Sequence, residues 1–174
     1  TFPIRMEYMA NPAYGINATN EQIGLIFGAV PMIARLLSTK LWGYLFDRLN
    51  FITLRIILNF LLMVSHFLYF LTTNPWLMGI AAGIFGLAFG GGRIMWQLWV
   101  TKISPPHKTA DYMSVHSAFT GVRGLLAPFL GYTLLQWAGP VIVGWTAAAL
   151  VGIGTIIIIP TRILVDARTR KLPT

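Results

Sequence analysis

Long apolar runs, interrupted at a few places by charge, proline or asparagine, set the pattern of the chain. Five runs fall at about 21–47, 52–73, 76–103, 110–137 and 140–160. Each has about the 20 residues that a helix needs to cross a hydrocarbon core. Strict alternation over about ten residues, the mark of a barrel strand, is missing from them. The pattern predicts an all-α, polytopic helical membrane protein with five transmembrane helices. The breaks have local causes. Asp47 to Asn50 brings charge and a residue tolerant of left-handed backbone, and Thr72-Thr-Asn-Pro75 reads as a turn with a helix-starting proline. Ser104-Pro-Pro106 cannot continue a helix, Gly139-Pro140 is a stop and restart, and Pro160 closes the last run. Residues 1–20, with Pro3, Pro12, Gly15, Asn11, Asn17 and Asn20, read as an extracytoplasmic segment. Thr19 and Gln22 have the spacing of a capping box.

Composition strengthens this picture. Hydrophobic residues make up 56 % of the chain, charged residues 10 %, and the mean hydropathy is +0.68. Soluble domains carry about 25 % charge, so a soluble globule is excluded and the lipid bilayer becomes the expected solvent. The lack of cysteine excludes disulfides, thiolate chemistry and Cys-ligated metal. No signal-peptide pattern opens the chain, and its start at Thr1 suggests a fragment or a processed product. The net charge of +8 would suggest nucleic acid in a soluble protein, but its placement here points to topology instead. Lys40, Arg48 and Arg55 flank the 47–52 loop, Lys102 and Lys108 the next, and residues 163–174 form a basic tail. The opposite side holds Arg5, and its turns at 72–75 and 138–140 are uncharged. The positive-inside rule then puts the N-terminus outside and the C-terminus in the cytoplasm of a plasma (inner) membrane.

Small residues mark faces where helices approach closely. They are Gly79, Gly83, Gly86 and Gly90 in the third run, continuing to Arg93 and Gln97, and Gly24, Gly28, Pro31, Arg35 and Ser38 in the first. The fourth run has Ser117, Gly121, Gly124, Pro128 and Gly131, beside a polar face of His116, Thr120 and Arg123; the fifth has Gly144, Ala148 and Gly152. Arg35, Arg93 and Arg123 stand well inside their runs, whereas the acidic residues Glu21, Asp47 and Asp111 fall at run ends. A central arginine costs at least about 2.5–3.5 kcal/mol, so these are expected to face protein or a watery cavity. Guanidinium forks suit carboxylate or phosphate, which makes an anion site one reading. Bonds to loosened carbonyls, or to acids on other helices, are the other. Gln97, His116 and Trp96 are secondary candidates. A proton relay or a haem or pigment ligand is open to His66 and His116, but hydrogen-bonded packing is simpler, and no cofactor is expected. Trp42, Trp76, Trp99 and Trp137 fit an interfacial belt, and Pro31 and Pro128 are expected kinks. No paired carboxylates, Ser/His pair or ligand set falls within the spans, so an enzyme is not expected.

Gly43-Tyr-Leu-Phe-Asp47-Arg48-Leu-Asn50 resembles the cytoplasmic loop signature of the major facilitator superfamily, Gly-x-x-x-Asp-Arg/Lys-x-Gly followed by basic residues. Asn50 stands for the second glycine, and Phe51-Ile52 replaces the basic pair. This weakened form resembles the second copy of the signature, in the C-terminal half of such transporters. The resemblance implies that the five runs correspond to transmembrane helices eight to twelve, a partial C-terminal bundle. Eight, ten and eleven would line the cavity, and those are the runs that hold the three arginines. It also implies a gating loop at Gly43, Asp47 and Arg48, with Asp47 reaching a helix of the other half. Alternating access needs two halves, so the expected partner is a missing N-terminal half, with a small anionic solute as cargo. The alternative is a transport-inactive subunit docked on another membrane subunit of a larger complex.

Overall fold

The computed structural model describes residues 2–169, with side chains for 3–102 and 104–160; the basic side chains of the tail, Arg162, Arg168, Arg170 and Lys171, lie outside these. Helix α1 is Phe2–Ala10, α2 Asn20–Arg48, α3 Phe51–Leu71 and α4 Pro75–Ile103. A last helical run, Thr109–Thr169, is broken at Gly139, where φ is 77° and ψ 170°. Only glycine takes that backbone readily. The chain reverses there. Before the break, Gly131 faces Ile4; after it, Gly144 abuts Phe70 and Gly152 abuts Met63, so the second arm runs back along α3. We call the arms α5 (109–138) and α6 (140–169). As one rod, the 55 residues of the membrane-span candidate Pro106–Pro160 would reach about 80 Å, far more than a bilayer, whereas two antiparallel arms fit.

The helix ends follow the local sequence. Thr19 and Gln22 form a capping box at the start of α2: the Gln22 N–H donates to Thr19 Oγ1 and the Thr19 N–H to Gln22 Oε1. Asn74 caps α4 by accepting from the Trp76 N–H at 2.9 Å, with Pro75 in the first helical position. Asn50 differs from expectation. Its backbone is extended (φ −61°, ψ 137°), not left-handed, and its side chain accepts from the Ile52 N–H to start α3. A helix-capping residue therefore stands where the family motif has glycine. Pro31 cannot bond the carbonyl four residues back, and Leu25–Ala29 just before it widens into a π turn.

Helix α4 is the central element, between α2 on one side and α3 on the other. Gly86 and Gly90 sit directly against α2: a Cβ on Gly86 would lie 2.7 Å from Pro31 Cα, and one on Gly90 3.0 Å from the Arg35 carbonyl oxygen. This close approach lets Ser38 Oγ and Trp42 Nε1 donate to the Leu87 carbonyl at 3.3 and 2.8 Å. Trp42 is therefore a buried core residue and not part of the interfacial belt, whereas Trp76 and Trp137 are exposed. One apolar cluster, around Trp42, Phe46, Leu54, Leu58, Ala88 and Met95, lies near the α2–α3 turn. Another lies at the opposite end and takes in α1 through Ile4, Tyr8 and Met9. Residues 2–10 are thus a docked helix with buried contacts. Pro3 in its first turn and the Ile4–Tyr8 spacing account for that.

Candidate functional site

Arg55 and Asn59, one turn apart on α3, share a cleft of about 410 Å³ with Arg93, Trp96 and Gln97 of α4 and Arg123 of α5. Leu58, Leu62, Ala88 and Phe89 supply the apolar part of its lining. Arg93, Gln97 and Arg123 are exposed on this chain, while Arg55 and Trp96 are half-buried. No acidic residue lines the cleft, and among the described residues none of its guanidiniums makes an ion pair. The Arg123 guanidinium sits 5.0 Å from the centre of the Trp96 ring, and the charges of Arg55 and Arg123 repel each other. The cleft is therefore a net cationic surface lined by forked hydrogen-bond donors.

Of the residues the sequence singles out, the cleft brings together Arg93, Arg123, Gln97 and Trp96, but not Arg35. The contact of α4 with α2 passes from Gly86 and Gly90 to Gly91, which abuts Trp42, and then to Lys102, whose ammonium donates to the Phe46 carbonyl. The contact thus moves round α4, and Arg93 and Gln97 turn out of it to line the cleft. Arg35 stays half-buried on α2, where its backbone carbonyl accepts from Thr39 Oγ1 at 2.7 Å. Arg55, read from the sequence as a loop charge, is an additional cleft residue. The signal was there in the i, i+4 pairing of Arg55 with Asn59 beside Leu58 and Leu62.

His116 stands beside the cleft in a smaller chamber of about 210 Å³, walled by Phe51, Met95, Trp96 and Trp99 and reached by Arg55. Its ring meets Trp96 edge-on at 4.5 Å and Trp99 at 5.2 Å. His66 is a packing histidine: Nδ1 lies 2.7 Å from the Leu62 carbonyl and the ring faces Phe85. Arg5, expected on an exposed segment, is buried at 3 % exposure. It donates to Ser65 Oγ at 2.8 Å and lies 4.6 Å from the ring centres of both Tyr69 and Phe85. These contacts hold α1 to α3 and α4. At the α2–α3 turn, Gly43 is half-buried, Asp47 is exposed, and Arg48 is exposed with its guanidinium 4.4 Å from the Tyr44 ring.

No curated protein and no solved structure matches this chain. The family model of the Major Facilitator Superfamily matches residues 6–174, which takes in every helix that forms the cleft. With four helices among the described residues long and apolar enough to cross a membrane, the last folded back on itself at Gly139, the chain is a multi-pass membrane protein that belongs to the Major Facilitator Superfamily of transporters.

Proposed function

We propose that this chain is the C-terminal half, corresponding to helices eight to twelve, of a secondary-active transporter that moves a small organic or inorganic anion by alternating access. The observation that carries the reading is the set Arg55, Arg93 and Arg123, drawn from three helices into one cleft with no acid among its lining residues. Guanidiniums exposed on one half of a membrane transporter cannot rest against lipid at tolerable cost, so they face water, the second half or the cargo. Gln97 and Asn59 add neutral hydrogen-bonding groups, and Trp96 orients Arg123 from below its charge. Lys40, Arg48, Lys102 and Lys108 flank one set of turns, which supports a cytoplasmic location for that end and an N-terminus outside a plasma (inner) membrane.

The test is uptake into proteoliposomes by the intact polypeptide that carries this chain. Carboxylates and phosphates are compared with neutral amides of matching size. Uptake of anions at least tenfold above their neutral analogues is the expected outcome; equal uptake of both overturns the reading.

The turn that joins α2 to α3 is the proposed gate. Asp47 is exposed here, and the family resemblance has it contact a helix of the other half. Asp47→Asn is expected to leave thermal stability nearly unchanged, as exposed substitutions do. It should slow uptake on the order of tenfold or more, through loss of a charge-assisted contact of about 1.5–3 kcal/mol. Wild-type uptake rates in Asp47→Asn would remove the gate from the proposal.

A further inference from the structure

The cleft does not end at its arginines. Arg55 and Trp96 line both the 410 Å³ cleft and the 210 Å³ chamber, so the two spaces adjoin across a shared wall. Their chemistry differs. The first is cationic, with apolar stretches at Leu58, Leu62 and Phe89. The second is aromatic: Phe51 and Trp99 lie 6.1 Å apart, and His116 meets both tryptophans. Within this second group, two side-chain atoms are buried with no hydrogen-bond partner, Trp99 Nε1 and His116 Nε2. Indole N–H only donates, and an imidazole nitrogen donates or accepts according to its tautomer. Buried polar atoms without partners are rare in folded chains, and a bound polar group is one way of satisfying them.

We infer that the cargo is an amphipathic aromatic anion: an acidic head for the arginines, a ring for the Trp96–Trp99 chamber, and a hydroxyl or carbonyl beyond it for Trp99 Nε1 and His116 Nε2. The inference rests on the anion reading above and narrows it. Phosphate or a short aliphatic carboxylate fills the arginine end alone and leaves the chamber unused. A ring with a remote hydroxyl uses every part of the two spaces. A hydroxyl both donates and accepts, so it matches an orphaned indole N–H and an orphaned imidazole nitrogen alike. Aromatic faces accept flat rings by offset or edge contacts without demanding one substituent pattern. The remote oxygen therefore sets the preference.

Binding to the purified intact polypeptide, read as displacement of a radiolabelled ligand, separates the possibilities. The probes are 3-(4-hydroxyphenyl)propanoate, 3-phenylpropanoate, propanoate, phosphate and the neutral 3-(4-hydroxyphenyl)propanamide. The expected order has the hydroxyphenyl acid binding at least fivefold tighter than the phenyl acid, and that at least tenfold tighter than propanoate or phosphate. Trp99→Phe and His116→Phe keep an aromatic wall, and each should cut the fivefold hydroxyl preference to less than twofold. Arg123→Gln should weaken all the acids together. Propanoate or phosphate binding as tightly as the aromatic acids, or no preference for the hydroxyl, overturns the inference while the anion reading stands. Equal binding of the amide and its acid overturns both. The ligand series is run on the unmutated protein, so the result does not depend on the variants folding.

Discussion

Arg93→Gln and Arg123→Gln, made singly in the intact polypeptide, are each expected to reduce anion uptake by about 10- to 150-fold with little loss of folded protein. The range follows from removing a charge-assisted hydrogen bond of about 1.5–3 kcal/mol, at tenfold per 1.4 kcal/mol. Fold stability should hold because both side chains are exposed on this chain and neither has an ion pair to lose among the described residues. For Arg123 the cost is the contact with Trp96, about 0.5–1 kcal/mol for an exposed cation on a ring. Against that, neutralising Arg123 relieves the repulsion of Arg55. Arg123→Lys tests what the group does. Lysine keeps the point charge but loses the planar fork, so a partial rescue indicates bidentate binding of the anion and a full rescue indicates charge alone. Arg35→Gln is the internal control, because Arg35 does not line the cleft and should transport within about twofold of the unmutated protein. Uptake at the unmutated rate in both Arg93→Gln and Arg123→Gln would refute the cleft as the anion site.

The features that were legible in the sequence share one cause: they are set by residues near one another in the chain or by a helical period. The glycine face of α4, the capping box at Thr19, the helix-starting Pro75 and the break at Gly139 are of this kind. What was not legible depended on how helices pack. Gly86, Gly90, Arg93 and Gln97 fall on one stripe of an ideal helix, yet the contact with α2 moves to Gly91 and Lys102 and divides them, two in an interface and two in a cleft. Arg35, on α2, does not line that cleft. Arg55 was hidden for a different reason. A basic residue four positions into a helix after a charged turn reads as a flanking charge, and only α5 lying alongside reveals its second use. Arg5 likewise reads as a flanking charge until Ser65, Tyr69 and Phe85, some 60 to 80 positions away, close around it.

Gly86→Leu is expected to abolish the folded state or lower the melting temperature beyond recovery of monodisperse protein. At this position the obstacle is backbone. A Cβ would lie 2.7 Å from Pro31 Cα and 2.8 Å from its carbonyl carbon, and neither can swing aside as a side chain would. The remaining atoms of leucine make separation of α2 from α4 unavoidable. Within a membrane, no hydrophobic force draws the helices back together, because lipid tails are as apolar as leucine, so close packing is the main attraction lost. Overpacking a tight site costs about 1–3 kcal/mol, occasionally more. Separation also breaks the bonds from Ser38 and Trp42 to the Leu87 carbonyl, each worth about 0.5–1.5 kcal/mol. The sum, about 2–6 kcal/mol, reaches at its upper end the roughly 5 kcal/mol that marks the least stable folded domains. Gly121→Ala supplies the contrast: a Cβ there meets open space, and alanine favours a helix over glycine by about 1 kcal/mol, so its melting temperature should hold or rise. Size-exclusion profiles and thermal melts in detergent decide the matter, and a monodisperse Gly86→Leu with an unshifted melt would refute the packing account. Gly86→Ala carries the point through to function. It forces a smaller separation that some of the protein should survive, but α4 also carries Arg93, Trp96 and Gln97. A shift of the helix should therefore weaken anion uptake even in the fraction that remains folded, which ties the glycine face to the geometry of the cleft.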